Sequence, residues 1–272
     1  MVYPKSGSVY SRYYGGPLAR RMALMDTSNL FIALVFVLAG LVKGVTGMGL
    51  PTVAVALLTL RMPPLEAAAL LIVPSSITNV WQLMAGPALY PLWCRLRMLL
   101  VAVCIGTAGA GWALSSSAVV VAWSGTVLGL ALLGYGLLGL SGWKPRVPPH
   151  AERWAGPLAG AVTGAMAGVT GVFVMPVAPY LQALDMEKDD LIQAMGLAFT
   201  VSTLALAAML ACRGEWHASA AGSSFLALLP AGGGMWLGQW LRERMQPALF
   251  RRCFFISLLA LGAHQCLRAF VE

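Results

Sequence analysis

The chain has 272 residues, 59% of them hydrophobic and only 10% charged, with 18 Lys and Arg against 10 Asp and Glu for a net charge of +8. Soluble domains carry roughly 25% charged residues, so a water-soluble enzyme is excluded and an all-α integral membrane protein is expected. The basic excess does not point to nucleic acid, because Lys and Arg flank apolar runs and form no stripe with interleaved aromatics.

Residues 1–28 form a basic tail with Lys5, Arg12, Arg20 and Arg21, expected to be a disordered cytoplasmic arm, and no apolar run before Asn29 suggests a signal peptide. Eight apolar segments follow, at about 29–60, 65–86, 96–115, 118–141, 155–184, 190–212, 219–241 and 247–269. They divide into a first transmembrane repeat over 29–142, a linker over 143–154 and a second repeat over 155–272, four segments each. Counted for eight crossings with the tail inside, eleven Lys and Arg face the cytoplasm and six the other side. That favours parallel halves with both termini in the cytoplasm. If the first and fifth segments instead turn back, the halves become inverted, and the split is seven on the tail side against ten opposite.

The first segment is too long for one span: as a continuous helix, 29–60 would exceed the roughly 30 Å hydrocarbon core. Its interruption is legible in Gly44 to Pro51, where glycines relax the backbone and proline removes a donor. The fifth segment repeats the device. Gly40-x-x-x-Gly44-Val45-Thr46-Gly47 matches Gly164-x-x-x-Gly168-Val169-Thr170-Gly171, and Pro176 and Pro179 follow. Downstream, Glu66-Ala67 aligns with Gln193-Ala194, and Ser75-Ser76 with Ser202-Thr203.

Paired broken spans in corresponding halves point to a transporter site between them, because unwound backbone in a bilayer must line a cavity or meet a ligand. Amides near the breaks, at Thr46, Gly47, Met48 and Gly49 and at Thr170, Gly171, Val172 and Phe173, would suit an anion. Ordinary close packing of G-x-x-x-G helices is the competing reading. Ser75, Asn79 and Gln82 share one face of the second segment, flanked by Ser76 and Thr78. Gln193, Gly196, Thr200 and Thr203 share a face of the sixth, flanked by Ser202. These neutral groups would orient an oxyanion, or else bond helix to helix. Lys43 is the one charged residue near the middle of a segment and is expected to face a wet cavity beside the break, the alternative being that it snorkels to an interface. Trp81 could pack an organic tail. Glu66 reads as a helix cap.

No enzyme is expected. Asp185, Asp189 and Asp190 fall in a loop, His150 and His217 are loop or terminal, and His264 lies near the end of the last segment; no P-loop, zinc or haem motif occurs. Five cysteines without C-x-x-C spacing read as small core residues. No cofactor is expected, apart from proton coupling of a secondary carrier. The alternatives are a serine-dependent intramembrane hydrolase using Ser75 or Ser76, and a non-transporting assembly or sensor subunit.

These residues resemble the TauE/SafE family of bacterial sulfite and organosulfonate transporters, also called the toluene sulfonate uptake permease family. The resemblance covers about Asn29 to Phe270 and rests on the glycine-rich break before Pro51, the Pro63 to Ala68 turn, Val73 to Gln82, and Gly168 to Leu184. Where family members more often carry a G-x-G-G-G run, this chain has Gly47-Met48-Gly49-Leu50. The resemblance implies a multi-pass carrier of the bacterial inner membrane, working by alternating access on sulfite, sulfonates including arylsulfonates, or related small oxyanions, and linked to the proton gradient. Oligomeric state is left open.

Overall fold

The computed structural model describes residues 17–84, 86–87, 89–113, 118–142, 146–214, 222, 224–244 and 247–271. Its ordered elements are α1 (Pro17–Thr46), α2 (Leu50–Leu58), α3 (Pro64–Met84), α4 (Leu89–Ala113), α5 (Ala118–Ser141), α6 (Pro149–Thr170), α7 (Val177–Gln182), α8 (Lys188–Cys212), α9 (Leu228–Arg242) and α10 (Pro247–Val271). No strand occurs among the described residues. Among the described residues five helical stretches are long and apolar enough to cross a membrane: 29–46, 64–84, 89–112, 123–141 and 189–212. The protein is therefore a multi-pass membrane protein. Because α1 begins at Pro17, the expected disordered arm is helical over 17–28; residues 1–16 lie outside the described residues.

Both long segments break where the glycines and prolines stand. Gly47 and Gly49 adopt positive φ of 78° and 98°, a region where a side chain is strained. α2 then starts with Pro51 in its first turn, where a missing N–H costs nothing. Gly171, at φ 73°, ends α6 and donates its N–H to the carbonyl of Ala167, the usual left-handed stop.

Both broken segments turn back after their breaks, in place of the straight passage expected for eight crossings. α2 descends beside α10, with Gly49 against Phe254 at its start and Thr59 accepting from Gln265 at its end. Arg61 then lies 4.2 Å over the ring of Phe31, so the chain has come back to the level where the apolar part of α1 began. The second break behaves alike: Val147, just before α6, donates to the carbonyl of Ala183, just after α7, at 2.9 Å. The sequence pattern showed where each helix stops but not which way the chain leaves, since that depends on contacts far apart in sequence.

Glycines set how the long helices pack. Gly40 and Gly44 of α1 abut the backbone of α9 from Ala231 to Gln239, in parallel. Gly160, Gly164 and Gly168 of α6 abut α4 from Leu99 to Gly111, again in parallel. A Cβ at Gly164 would run into the carbonyl of Val103, and one at Gly40 into that of Ala231, so small residues permit contacts that larger ones forbid. By contrast α5 meets α10 antiparallel, Gly129 against Cys266 and Gly139 against Phe255. α3 meets α8 antiparallel, with Gly196 against Leu83 and Asn79 bonded to Thr203. The repeated G-x-x-x-G is thus helix packing, while the glycines just after it make the break.

Pro74 inside α3 leaves the carbonyl of Leu70 without its helical donor. Ser224 supplies one, donating to Leu70 at 2.8 Å and accepting from the N–H of Val73 at 3.1 Å. The cysteines are corrected as well: Cys94, Cys104, Cys212 and Cys253 are exposed on the outer surface of the bundle and Cys266 is half-buried.

Candidate functional site

The polar faces of α3 and α8 meet where those helices cross. On α3, Ser75, Thr78, Asn79 and Gln82 are buried, while Ile77, Val80, Trp81 and Met84 are exposed. Positions i, i+3, i+4 and i+7 make one helical face, and here that face is polar and turned inward. On α8, Gln193, Thr200, Ser202 and Thr203 are buried.

Lys43 enters this crossing from α1. It is buried, 5% exposed, and the one charged side chain among the buried described residues. Its ammonium donates to Thr78 Oγ1 at 3.1 Å and to Asn79 Oδ1. Thr78 passes its own hydroxyl proton to the carbonyl of Pro74 at 2.7 Å. Asn79 donates onward to Thr203 Oγ1 at 3.4 Å, and Thr203 to the carbonyl of Phe199 at 2.7 Å. Among the described residues no carboxylate lies within ion-pair distance of Lys43. Lys43 thus sits in a polar network in which its ammonium meets two neutral oxygens. Such a charge is expensive in a low-dielectric interior, and the third ammonium proton remains to be used.

Ser75 stands one turn before Asn79 on the same face, buried, with no hydrogen-bond partner for its hydroxyl. Among the described residues no base bonds to it. Ser76 is half-buried. Gln82 donates to the carbonyl of Ile192 at 3.0 Å, leaving its Oε1 without a partner. Gln193 donates to the carbonyls of Leu83 and Gly86, closing the end of α3. Thr200 and Ser202 donate to carbonyls one turn back on α8, of Gly196 and Ala198.

The two breaks lie elsewhere and in different surroundings. Met48 is half-buried, its sulfur 3.1 Å from the Tyr135 hydroxyl and 3.8 Å from Gln182 Nε2. Val172, Phe173 and Val174 are buried in the apolar core, Phe173 stacking on Phe199 at 5.9 Å, and Gly171 presses on Ala68 of α3. Several break amides are already occupied. Thr46 Oγ1 accepts from the N–H of Met48, and Thr170 Oγ1 from that of Val172, each at 3.2 Å. Gly47 and Gly171 donate within their helices to Lys43 and Ala167. The two threonines thus each make a side-chain turn to the amide two residues on, just after their helices end. The two breaks therefore lie in surroundings different from those of the polar network on α1, α3 and α8, and the amides of Gly47, Met48, Gly171 and Val172 are not bare. Trp81 is 72% exposed on the opposite face of α3, away from that network.

Thr78 is the residue the sequence reading undervalued: it stood beside the chosen face, and only the approach of Lys43 shows that it belongs there. The family model for the sulfite exporter TauE/SafE matches residues 32–264. The chain belongs to that family. The matched span includes α2 to α9, nearly all of the apolar part of α1 and most of α10, so every residue of the Lys43 network lies inside it. No curated protein and no solved structure matches the chain.

Proposed function

We propose that this TauE/SafE member is a secondary carrier of small oxyanions, sulfite or organosulfonates, whose binding site is the Lys43 network. The observation that carries the reading is a buried ammonium held by Thr78 and Asn79 without a carboxylate, one turn from the unpartnered hydroxyl of Ser75. An oxyanion there supplies the missing negative charge and accepts from Ser75, so binding relieves a cost the empty protein bears. Ser76, Asn79, Gln82, Thr200, Ser202 and Thr203 surround and orient it. Thr46 to Gly49 and Thr170 to Val172 serve as the hinges at which each broken arm moves.

The antiparallel pairing of α3 with α8 and of α5 with α10 supports treating residues 29–142 and 155–272, joined by the 143–154 linker, as inverted repeats. Their rocking would open the crossing to each side in turn. The turned-back segments also redistribute the basic residues. Arg95, Arg97, Arg146, Arg153, Lys188, Arg242, Arg244, Arg251 and Arg252 belong to the ends of helices and connections opposite the termini. The positive-inside rule then places that face in the cytoplasm, in place of the cytoplasmic termini expected from eight crossings. Reporter fusions at the C-terminus decide the orientation. A proton gradient is proposed as the driving force.

The test is reconstitution in liposomes with sulfite, methanesulfonate and toluenesulfonate as substrates. Uptake or exchange of at least one, lost in Lys43→Met, is the expected result; absence of flux under every ion gradient contradicts the reading.

A further inference from the structure

Lys43 is the one charged side chain among the buried described residues, and the other described groups of its network are neutral. Thr78 and Asn79 face the ammonium from α3, and Thr203 stands behind Asn79 on α8. From α9, the stretch beside α1 at Gly44 is Met235, Gly238 and Gln239, also uncharged. Two ion pairs among the described residues, Arg95 with Glu152 at 2.6 Å and Arg146 with Asp185 at 3.5 Å, lie outside the buried set.

We infer that this site takes one singly charged oxyanion, a sulfonate or bisulfite, and discriminates against doubly charged sulfate and the sulfite dianion. The inference rests on the proposed carrier function and specifies its substrate. The cost of stripping water from an ion grows with the square of its charge, whereas attraction to a single ammonium grows only in proportion. A monoanion leaves the crossing neutral. A dianion leaves one uncompensated negative charge, with only the Ser75 hydroxyl and side-chain amides to meet it. Sites for divalent anions would need a second cation or a bidentate guanidinium, and no arginine is among the buried described residues.

The experiment measures binding to the full chain in lipid nanodiscs by isothermal calorimetry, with methanesulfonate, sulfate and sulfite as probes, across the pH range in which sulfite passes from one charge to two. The expected result is methanesulfonate binding roughly tenfold or more tighter than sulfate, with sulfite losing affinity relative to methanesulfonate as it becomes divalent. Lys43→Arg should keep that preference and Lys43→Gln should abolish methanesulfonate binding. Sulfate binding as tightly as methanesulfonate, or sulfite tracking methanesulfonate at every pH, overturns the inference while leaving an anion carrier intact. If none of the three probes binds, the proposed function falls with it. The wild-type comparison decides the matter even if the variants do not fold.

Discussion

The broken arm α1–α2 and the broken arm α6–α7 share a backbone device and differ in chemistry. Each ends its long helix at a glycine of positive φ, bonds a threonine hydroxyl to the amide two residues on, and returns to its starting level. Yet among the described residues only the first arm carries a buried charged side chain, Lys43. At the repeat offset, Lys43 corresponds to Ala167, and Asn79 and Gln82 to Leu206 and Met209, all three apolar and buried. The first break has open space at Gly47, whereas the second is pressed against Ala68 and the aromatic pair Phe173 and Phe199. The two arms thus share a backbone break, and the polar groups proposed to meet the anion gather at the first alone.

The largest expected effect separates the arms by function. Lys43→Met should lower sulfonate or sulfite flux by about two orders of magnitude, as expected for losing the charged partner of a buried pair. Ala167→Ser should leave it within roughly twofold. Equal losses in the two variants would mean that the halves contribute equally and the contrast is wrong.

Next come the breaks, read by thermal unfolding in detergent. Gly171→Ala combines strained φ with overlap of Ala68 and should cost about 3 kcal/mol. Gly47→Ala meets nothing within 4 Å and should cost about 1 kcal/mol, from φ alone. The reverse order would show that the first break is the tighter one.

Smaller still are the threonine turns. Thr46→Val and Thr170→Val each remove one hydroxyl acceptor at a helix end and should cost about 1 kcal/mol apiece. A loss at Thr46 alone would mean that the two turns are not equivalent. Trp81→Ala should change stability by less than about 0.5 kcal/mol and leave toluenesulfonate uptake unaltered, because the indole points out of the bundle. A selective loss of arylsulfonate transport would place the organic tail against α3's outer face.

Local signals were legible in the sequence. Gly47, Gly49 and Gly171 mark the breaks because glycine tolerates the backbone they need, and the spacing of Ser75, Asn79 and Gln82 exposes the buried polar face of α3. What the sequence could not show depends on long-range packing. The return of α2 is set by Arg61 meeting Phe31 and by Gln265 meeting Thr59. The division of Gly40 to Gly47 into packing glycines and a breaking one is set by α9 lying alongside α1. Threonines 46 and 170 looked like ligand groups because a side-chain turn and an anion contact call for the same side chain. Trp81 looked available because a one-residue step around a helix carries it from the polar face toward the lipid.

The central claim is that the anion sits at Lys43 and not at the breaks. Cryo-electron microscopy of the protein in nanodiscs, saturated with toluenesulfonate, tests this directly. The expected result is sulfonate density within hydrogen-bond distance of Lys43 Nζ and Ser75 Oγ. Density held instead by the backbone at Thr46 to Gly49 or Thr170 to Phe173, with Lys43 still bonded only to Thr78 and Asn79, would contradict it.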